Sequence, residues 1–116
     1  MTDFQVDGWV NLIKPAGVSS SFALQPLRRF FKNKKRVGHI GTLDPFASGV
    51  LPVAIGEATK TIEYLDNFKK TYIAEVKWGY KTDTLDGTGR VIEESARIPS
   101  AAEILNVLDE FIGEIS

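Results

Sequence analysis

The loop Gly38–Gly49, with the sequence GHIGTLDPFASG, carries the residues best suited to chemistry in this chain of 116 residues. It holds the only histidine, His39, and Asp44, the first acidic residue after an acid-free stretch that begins at Gly8. Pro45 fixes its own φ and restricts Asp44 to extended conformations, so the carboxylate is presented rigidly. Such a carboxylate can act as a nucleophile or a general base. The alternative is a turn-forming aspartate, because Asp is common before Pro in loops.

Three further side chains have both a structural and a functional interpretation. His39 is either a hydrogen-bonding or partly buried loop residue, or a flat ring that stacks on a nucleotide base. Tyr72 is either a core aromatic at the start of a strand or a stacking platform in a cleft. Lys60, in the motif GEATK, is either a solvated helix residue or a contact to a phosphate or a carboxylate.

The charges are unevenly distributed along the chain. The sequence has 14 Lys and Arg against 15 Asp and Glu, a formal net charge of −1. Six basic residues nevertheless fall in the nonapeptide RRFFKNKKR: Arg28, Arg29, Lys32, Lys34, Lys35 and Arg36. A basic segment with interleaved aromatics is typical of a polyanion site. The alternative is a solvated helix end, where cations favour the negative end of the helix dipole.

The composition excludes several classes of site. The chain has no Cys and one His, so disulfides, thiolate nucleophiles and multi-histidine metal centres are excluded. There is no phosphate-binding loop of the Gly-x-x-x-x-Gly-Lys type. No apolar run approaches the length that spans a membrane, and the first eight residues, MTDFQVDG, have no basic residue and are unlike a signal peptide. We therefore expect no multi-histidine metal site, no membrane partner and a cytoplasmic location.

The hydrophobic pattern predicts one α+β domain. Strands are expected at Trp9–Ile13, Val50–Ile55, Tyr72–Trp78 and Arg90–Glu93, with the last two forming a hairpin around the turn Asp83–Gly89. Helices are expected after Ser19, at Glu57–Asp66, and from a capping box at Ser100 to Gly113. Pro26 should kink the first helix or delay its regular part to about that residue. Pro52 indicates an irregular strand or an edge strand.

Five blocks of the sequence together form a specific pattern. They are GWVNL followed by KPAGVSS in residues 8–20, GHIGTLDPFASGVLP at 38–52, GEATK at 56–60, KTY at 70–72, and TDTLDGTG at 82–89. This succession closely resembles the TruB family of tRNA pseudouridine synthases. The resemblance implies the pseudouridine synthase fold, a mixed and mostly antiparallel sheet with flanking helices. It also implies that residues 1–116 are the N-terminal portion of the catalytic domain, so that the fold is incomplete here and the C-terminal RNA-binding extension is absent.

The resemblance further implies an activity and a set of site residues. The expected reaction is isomerisation of the uridine at position 55, in the TΨC loop of tRNA, after the base has been flipped out. Asp44 matches the catalytic aspartate, a nucleophile or base, and Tyr72 matches the tyrosine that stacks on the target uracil. His39 matches the histidine that occupies the space left by the flipped nucleotide, and Gly41 and Thr42 would shape the loop.

The remaining expectations concern partners and completeness. Lys60 and Asp86 match polar family residues near the active site, and the basic nonapeptide would contact the RNA backbone. The TΨC arm of tRNA is the expected partner, without metal or cofactor. Because the family's active-site arginine is absent here, the chain alone is expected to be inactive, and open edges could allow association. The alternative function is a non-catalytic RNA-binding module that remodels tRNA.

Overall fold

The computed structural model describes residues 6–65 and 69–115, and the chain divides into two compact units, residues 1–72 and 73–116. The first unit contains strands β1 (Gly8–Lys14), β2 (Val37–His39) and β3 (Gly49–Ile55), helices α1 (Ser20–Ala23) and α2 (Gln25–Phe30), and a 3-10 helix, Gly56–Leu65. The second unit contains strands β4 (Tyr80–Thr82) and β5 (Val91–Glu94), helix α3 (Ala101–Leu108) and a 3-10 helix, Asp109–Phe111. The prediction of an α+β protein is confirmed.

The sheet of the first unit has three antiparallel strands in the order β1-β3-β2. Strand β1 pairs with β3 over its whole length, from Gly8 opposite Ile55 to Lys14 opposite Gly49. The core consists of the buried Leu24, Leu51 and Val53, with four partly buried side chains packed against it: Leu12, Leu27, Val37 and Leu43. Strand alternation places Leu12 and Lys14 on the same face of β1, so the lysine continues the row of residues that points to the core.

Pro52 lies in the central strand, contrary to one of the two expectations for it. It pairs with Asn11 of β1, and its carbonyl accepts a hydrogen bond from the Ile40 N–H at 3.2 Å. The amide nitrogen and the carbonyl of a strand residue point to the same side, so the missing N–H of Pro52 faces the side of β2. Strand β2 ends at His39, one residue before Ile40. The proline is tolerated because it lies where that ladder stops.

The first unit has two short α-helices where the sequence predicts one helix that Pro26 kinks or delays. The Ser19 side chain caps α1 by accepting a hydrogen bond from the Phe22 N–H at 3.1 Å. Pro26 lies in the first turn of α2, where a proline removes no intrahelical hydrogen bond, so the predicted single helix is two. The helix predicted at Glu57–Asp66 is a 3-10 helix, and Asp66 itself lies outside the described residues.

The second unit corrects the predicted hairpin. The strand predicted at Arg90–Glu93 is confirmed as β5, one residue later along the chain, but it pairs antiparallel with β4, with Tyr80 opposite Glu94, and not with the predicted Tyr72–Trp78. A strand needs a hydrogen-bonded neighbour, and within the described residues the stretch 72–77 has none. The capping box at Ser100 is confirmed, because its hydroxyl accepts from the Glu103 N–H and the Glu103 carboxylate accepts from the Ser100 N–H.

Candidate active site

Asp44 lies on the exposed loop that connects β2 to β3. Asp44 is exposed, and its backbone carbonyl accepts a hydrogen bond from the Ala47 N–H at 3.0 Å, which closes a turn around Pro45. Across the described part of the chain, the Asp44 carboxylate takes part in none of the ion pairs or side-chain hydrogen bonds. The loop therefore presents a carboxylate to solvent without neutralising it.

The carbonyl that follows Asp44 is fixed by the segment after β1. Lys14 is fully buried, and its Nζ donates to the carbonyls of Pro15 at 2.8 Å, Val18 at 2.7 Å and Pro45 at 3.2 Å. The Gly17 N–H donates to the same Pro45 carbonyl at 2.7 Å. Gly17 has a φ of +90°, a conformation that favours glycine and that aims its N–H at the loop. The block KPAG thus holds the loop on the C-terminal side of Asp44.

The backbone that precedes Asp44 is fixed by a buried serine. The Ser20 hydroxyl donates to the Leu43 carbonyl at 2.9 Å and accepts from the Leu43 N–H at 2.9 Å. Ser20 is 3% exposed and stands at the start of α1. Both neighbours of Asp44 in the sequence are therefore hydrogen-bonded to residues of the block KPAGVSS.

Thr42 connects the loop to the predicted site residue His39 and to Lys70, two residues before Tyr72. Its hydroxyl is 3.1 Å from Nε2 of His39, and its carbonyl accepts a hydrogen bond from Nζ of Lys70 at 3.1 Å. Gly41 has a φ of +65°, which allows the sharp bend between the strand residue His39 and Thr42. The structure thus brings His39, Gly41 and Thr42 together at the end of β2, as a hydrogen-bonded corner of the loop.

Burial lowers the pKa of His39 below its usual value, and the positive charge of Arg28 lowers it further. Both effects disfavour the imidazolium, because burial penalises the charged form and a neighbouring cation repels it. The ring is therefore neutral at physiological pH. A neutral ring can pair with the Thr42 hydroxyl and can stack on an uncharged base.

Two of the predicted substrate contacts in the first unit are exposed. Tyr72 is 56% exposed and stands at the C-terminal end of this unit, two residues after Lys70. Lys60 lies on the 3-10 helix, where its ammonium pairs with the Glu57 carboxylate three residues earlier. That exposed pair fits the structural interpretation of Lys60, although an exposed ion pair contributes little and is readily exchanged for another partner.

Asp86 lies in the second unit and organises the turn between β4 and β5. Its Oδ1 accepts hydrogen bonds from the Thr84 hydroxyl at 2.8 Å, and from the Thr88 N–H and hydroxyl at 2.8 and 2.6 Å. These hydrogen bonds, led by those of Thr88, hold the pKa of Asp86 below its usual value. Its carbonyl accepts from the Thr82 hydroxyl at 2.6 Å. The structure therefore gives Asp86 a local structural role within its unit.

The predicted RNA-backbone residues surround the end of α2. Arg28 and Arg29 lie in its last turn, and the turn that follows has positive φ at Lys32 and Asn33. Exposed members of the set are Arg29, Lys32, Lys34 and Arg36. Lys35 differs because its Nζ is 3.5 Å from Asp7 Oδ1, and its side chain is 26% exposed. Most of the segment can therefore reach a polyanion, while Lys35 is also paired with Asp7.

The part of the chain that the structure describes has no cluster of three or more His, Asp or Glu side chains that could hold a metal ion. Among the helices within residues 6–65 and 69–115, none is long and apolar enough to cross a membrane.

Sequence reasoning missed the residues that brace the loop. Lys14, Gly17 and Ser20 belong to a block that marked the family resemblance but was given no role, and Lys70 belongs to KTY. A lysine at the end of an apolar strand, in phase with Leu12, was the available signal, because strand alternation already places it on the core face.

Taken together, these features define an α+β protein that presents one exposed carboxylate on a loop with a fixed backbone. Residues 28–116 match the family model for TruB family pseudouridylate synthase (N terminal domain). This match covers more than half of the chain and includes the loop, so the chain belongs to the TruB family.

Curated relatives of the chain support this family assignment. The chain is 50% identical over 111 residues to the tRNA pseudouridine synthase B of Wolbachia pipientis subsp. Culex pipiens, which covers 96% of this chain and 31% of that protein. It is 47% identical over 106 residues to the protein of the same name from Ehrlichia canis, covering 91% of this chain and 35% of that protein. The protein of that name from Nitrobacter winogradskyi is 47% identical over 110 residues, covering 95% and 30%. The chain spans about a third of the length of these relatives.

Proposed function

We propose that this chain supplies the catalytic carboxylate of a tRNA pseudouridine synthase that isomerises uridine 55 in the TΨC loop. The observation that carries the proposal is the exposed Asp44, whose backbone neighbours are hydrogen-bonded on both sides while its carboxylate has no ion-pair partner in the described residues. The relatives named tRNA pseudouridine synthase B support the substrate class.

The proposed reaction is an isomerisation, in which the nucleotide keeps its atomic composition. The glycosidic bond from C1′ to N1 of the uracil breaks, the base turns, and a bond from C1′ to C5 forms. The hydrogen on C5 leaves as a proton and N1 takes one up, so no electron is gained or lost. Asp44 acts as the nucleophile or the base in this sequence. Its three routes are attack on the base, attack on the sugar, and removal of a sugar proton to give a glycal.

The other site residues would prepare the uridine for this step. Flipping a base out of a folded loop costs a few kcal/mol, and contacts that replace its stacking offset this cost. We assign to Tyr72 the role of stacking on the target uracil. The neutral ring of His39 is assigned to the space that the flipped nucleotide leaves. Gly41 and Thr42 shape the loop, and Lys60 and Asp86 are assigned contacts near the substrate.

The basic segment would bind the RNA backbone. The proposed phosphate contacts are Arg28, Arg29, Lys32, Lys34, Lys35 and Arg36. Their concentration on one nine-residue segment supports a polyanion site in a chain whose net charge is −1. We further propose that residues 1–116 form the N-terminal portion of a catalytic domain with the pseudouridine synthase fold. The antiparallel sheet and the share of the relatives' length that the chain covers support this assignment.

Tritium release from tRNA that carries 5-tritiated uridine tests the proposal. The enzyme form is a chimera in which this chain replaces the matching segment of the Wolbachia relative, which supplies the rest of that protein. We expect release by the chimera and a loss of about 10²–10⁴-fold or more in Asp44→Asn, the range expected for losing an acid–base group. Asp109→Asn, an exposed carboxylate in the second unit, is the matched control and should retain activity.

Two results would overturn the enzymatic proposal. The first is a folded chimera that binds tRNA but releases no tritium. The second is release by Asp44→Asn at the rate of the parent chimera. Retained binding without release would instead favour a non-catalytic RNA-binding module.

A further inference from the structure

Ser20 makes an unusual pair of hydrogen bonds with one residue of the Asp44 loop. Its hydroxyl donates to the Leu43 carbonyl and accepts from the Leu43 N–H, both at 2.9 Å. A hydroxyl has one donor and two acceptor lone pairs, so a single side chain satisfies both polar backbone groups of Leu43. Ser20 itself is 3% exposed, so its hydroxyl has little contact with water that would otherwise compete for these bonds.

We propose that Ser20 is a positioning residue that fixes the direction of the Asp44 carboxylate through the backbone of Leu43. This inference rests on the proposed function of Asp44. The Leu43 carbonyl and the Asp44 nitrogen share one peptide plane, so holding that carbonyl fixes the plane from which the Asp44 backbone begins. Pro45 restricts Asp44 from the other side.

The frame that holds Ser20 is itself rigid. Ser20 is the first residue of α1, which Ser19 caps through the Phe22 N–H, and Leu43 packs against the core cluster. The two adjacent serines therefore have different tasks. Ser19 stabilises the helix and makes no bond to the loop, whereas Ser20 joins the helix to the residue before Asp44. This difference provides a matched control.

A misplacement of about 1 Å in a reacting group can cost 10²-fold in rate, whereas binding of the RNA backbone is insensitive to it. Loss of Ser20 should consequently lower the rate of the chemical step without weakening tRNA binding. A purely structural serine would behave differently, because its loss would lower the fraction of folded protein, and with it activity and binding together.

The experiment measures single-turnover tritium release and the tRNA dissociation constant in the same chimera. We expect Ser20→Ala to release tritium about 10–100-fold more slowly, with a dissociation constant within about twofold of the parent. Ser19→Ala removes the helix cap and should lower the melting temperature, while its rate stays within about threefold. Ser20→Thr keeps the hydroxyl and Ser20→Val has the same shape without it, so Thr should be at least about tenfold faster than Val.

The outcomes separate this inference from the proposed function. If Asp44→Asn abolishes release while Ser20→Ala stays within threefold of the parent, only the positioning role of Ser20 is overturned. Equal slowing by Ser19→Ala and Ser20→Ala would overturn it too. If Ser20→Ala does not fold, the Thr and Val variants decide, and equal rates for these two refute the inference. Failure of the parent chimera to release tritium would instead refute the proposed function.

Discussion

Lys14 offers the sharpest test of how the loop is held. It is fully buried, and its three acceptors are backbone carbonyls. Methionine keeps a flexible unbranched chain and removes the ammonium group, so Lys14→Met deletes the three hydrogen bonds with little change of volume. Lys34→Met is the control, because it makes the same change on an exposed residue of the same unit.

The size of the effect depends on which hydrogen-bond donors each carbonyl retains when the ammonium group is removed. The Pro45 carbonyl retains the Gly17 N–H, whereas among the described residues the Pro15 and Val18 carbonyls have no other donor. Each buried acceptor left unsatisfied costs about 1–3 kcal/mol. Removing a buried cation also relieves its desolvation, and the exposed Pro15 can be reached by water. We therefore expect Lys14→Met to lower the free energy of unfolding by about 2–4 kcal/mol, a large part of the roughly 5–15 kcal/mol typical of a domain.

Urea unfolding followed by circular dichroism measures this change. Lys34→Met should stay within about 0.5 kcal/mol of the parent chain, as most exposed substitutions do. A Lys14→Met chain that also stayed within about 0.5 kcal/mol of the parent would contradict this prediction, because the three carbonyls would then gain nothing from the ammonium group. An equal loss in both lysine variants would mean that net charge, and not the buried contacts, controls stability.

Three further predictions concern other parts of the chain. The native pKa of His39 lies below its unfolded value of about 6.5, so the stability that His39 contributes is present above that pH and is lost as the pH falls through the native pKa. The free energy of unfolding of His39→Gln, measured in urea, should therefore depend less on pH below about pH 6.5 than that of the parent. An unchanged pH dependence would contradict this. Since Oδ1 of Asp86 accepts the three hydrogen bonds from Thr84 and Thr88, Asp86→Asn should preserve the turn and Asp86→Ala should speed exchange of the Thr88 amide, whereas equal exchange in both would refute the role. Lys34→Ala should reduce the salt dependence of tRNA binding by about 0.7–1 in the log–log slope, and Lys35→Ala by less because Asp7 already pairs with it; equal slopes for the two variants would contradict the assignment.

The sequence predicts those parts of the fold that depend on local rules. The Ser19 and Ser100 caps follow from hydroxyl chemistry at helix starts, and β1 and β3 follow from short apolar runs. The prediction of a strand at Tyr72–Trp78 is wrong because alternation of apolar and polar residues describes the two faces of a strand but does not supply a partner strand. For Pro52 the sequence predicts an irregular strand or an edge strand, because a proline removes one donor, yet Pro52 lies in the central strand at the point where the ladder of β2 ends.

The candidate site also has one residue that the sequence predicts and several that it does not. Asp44 could be selected from its place in the sequence, between an acid-free stretch and a proline. The residues that hold its loop could not, because Lys14, Ser20 and Lys70 are separated from Thr42, Leu43 and Pro45 by more than twenty positions. Hydrogen bonds of that range depend on how β1 and β3 pair, and no spacing rule reports them.

The choice of acceptors for Lys14 has a chemical consequence for Asp44. A buried ammonium group needs strong acceptors, and a carboxylate is the usual one. Here the acceptors are neutral carbonyls, so the cation fixes the loop without forming an ion pair with the adjacent acid. An ion pair with Lys14 would have engaged the Asp44 carboxylate and reduced its nucleophilicity. With backbone carbonyls as partners, the loop is held while the Asp44 carboxylate keeps no ion pair among the described residues, as its proposed role requires.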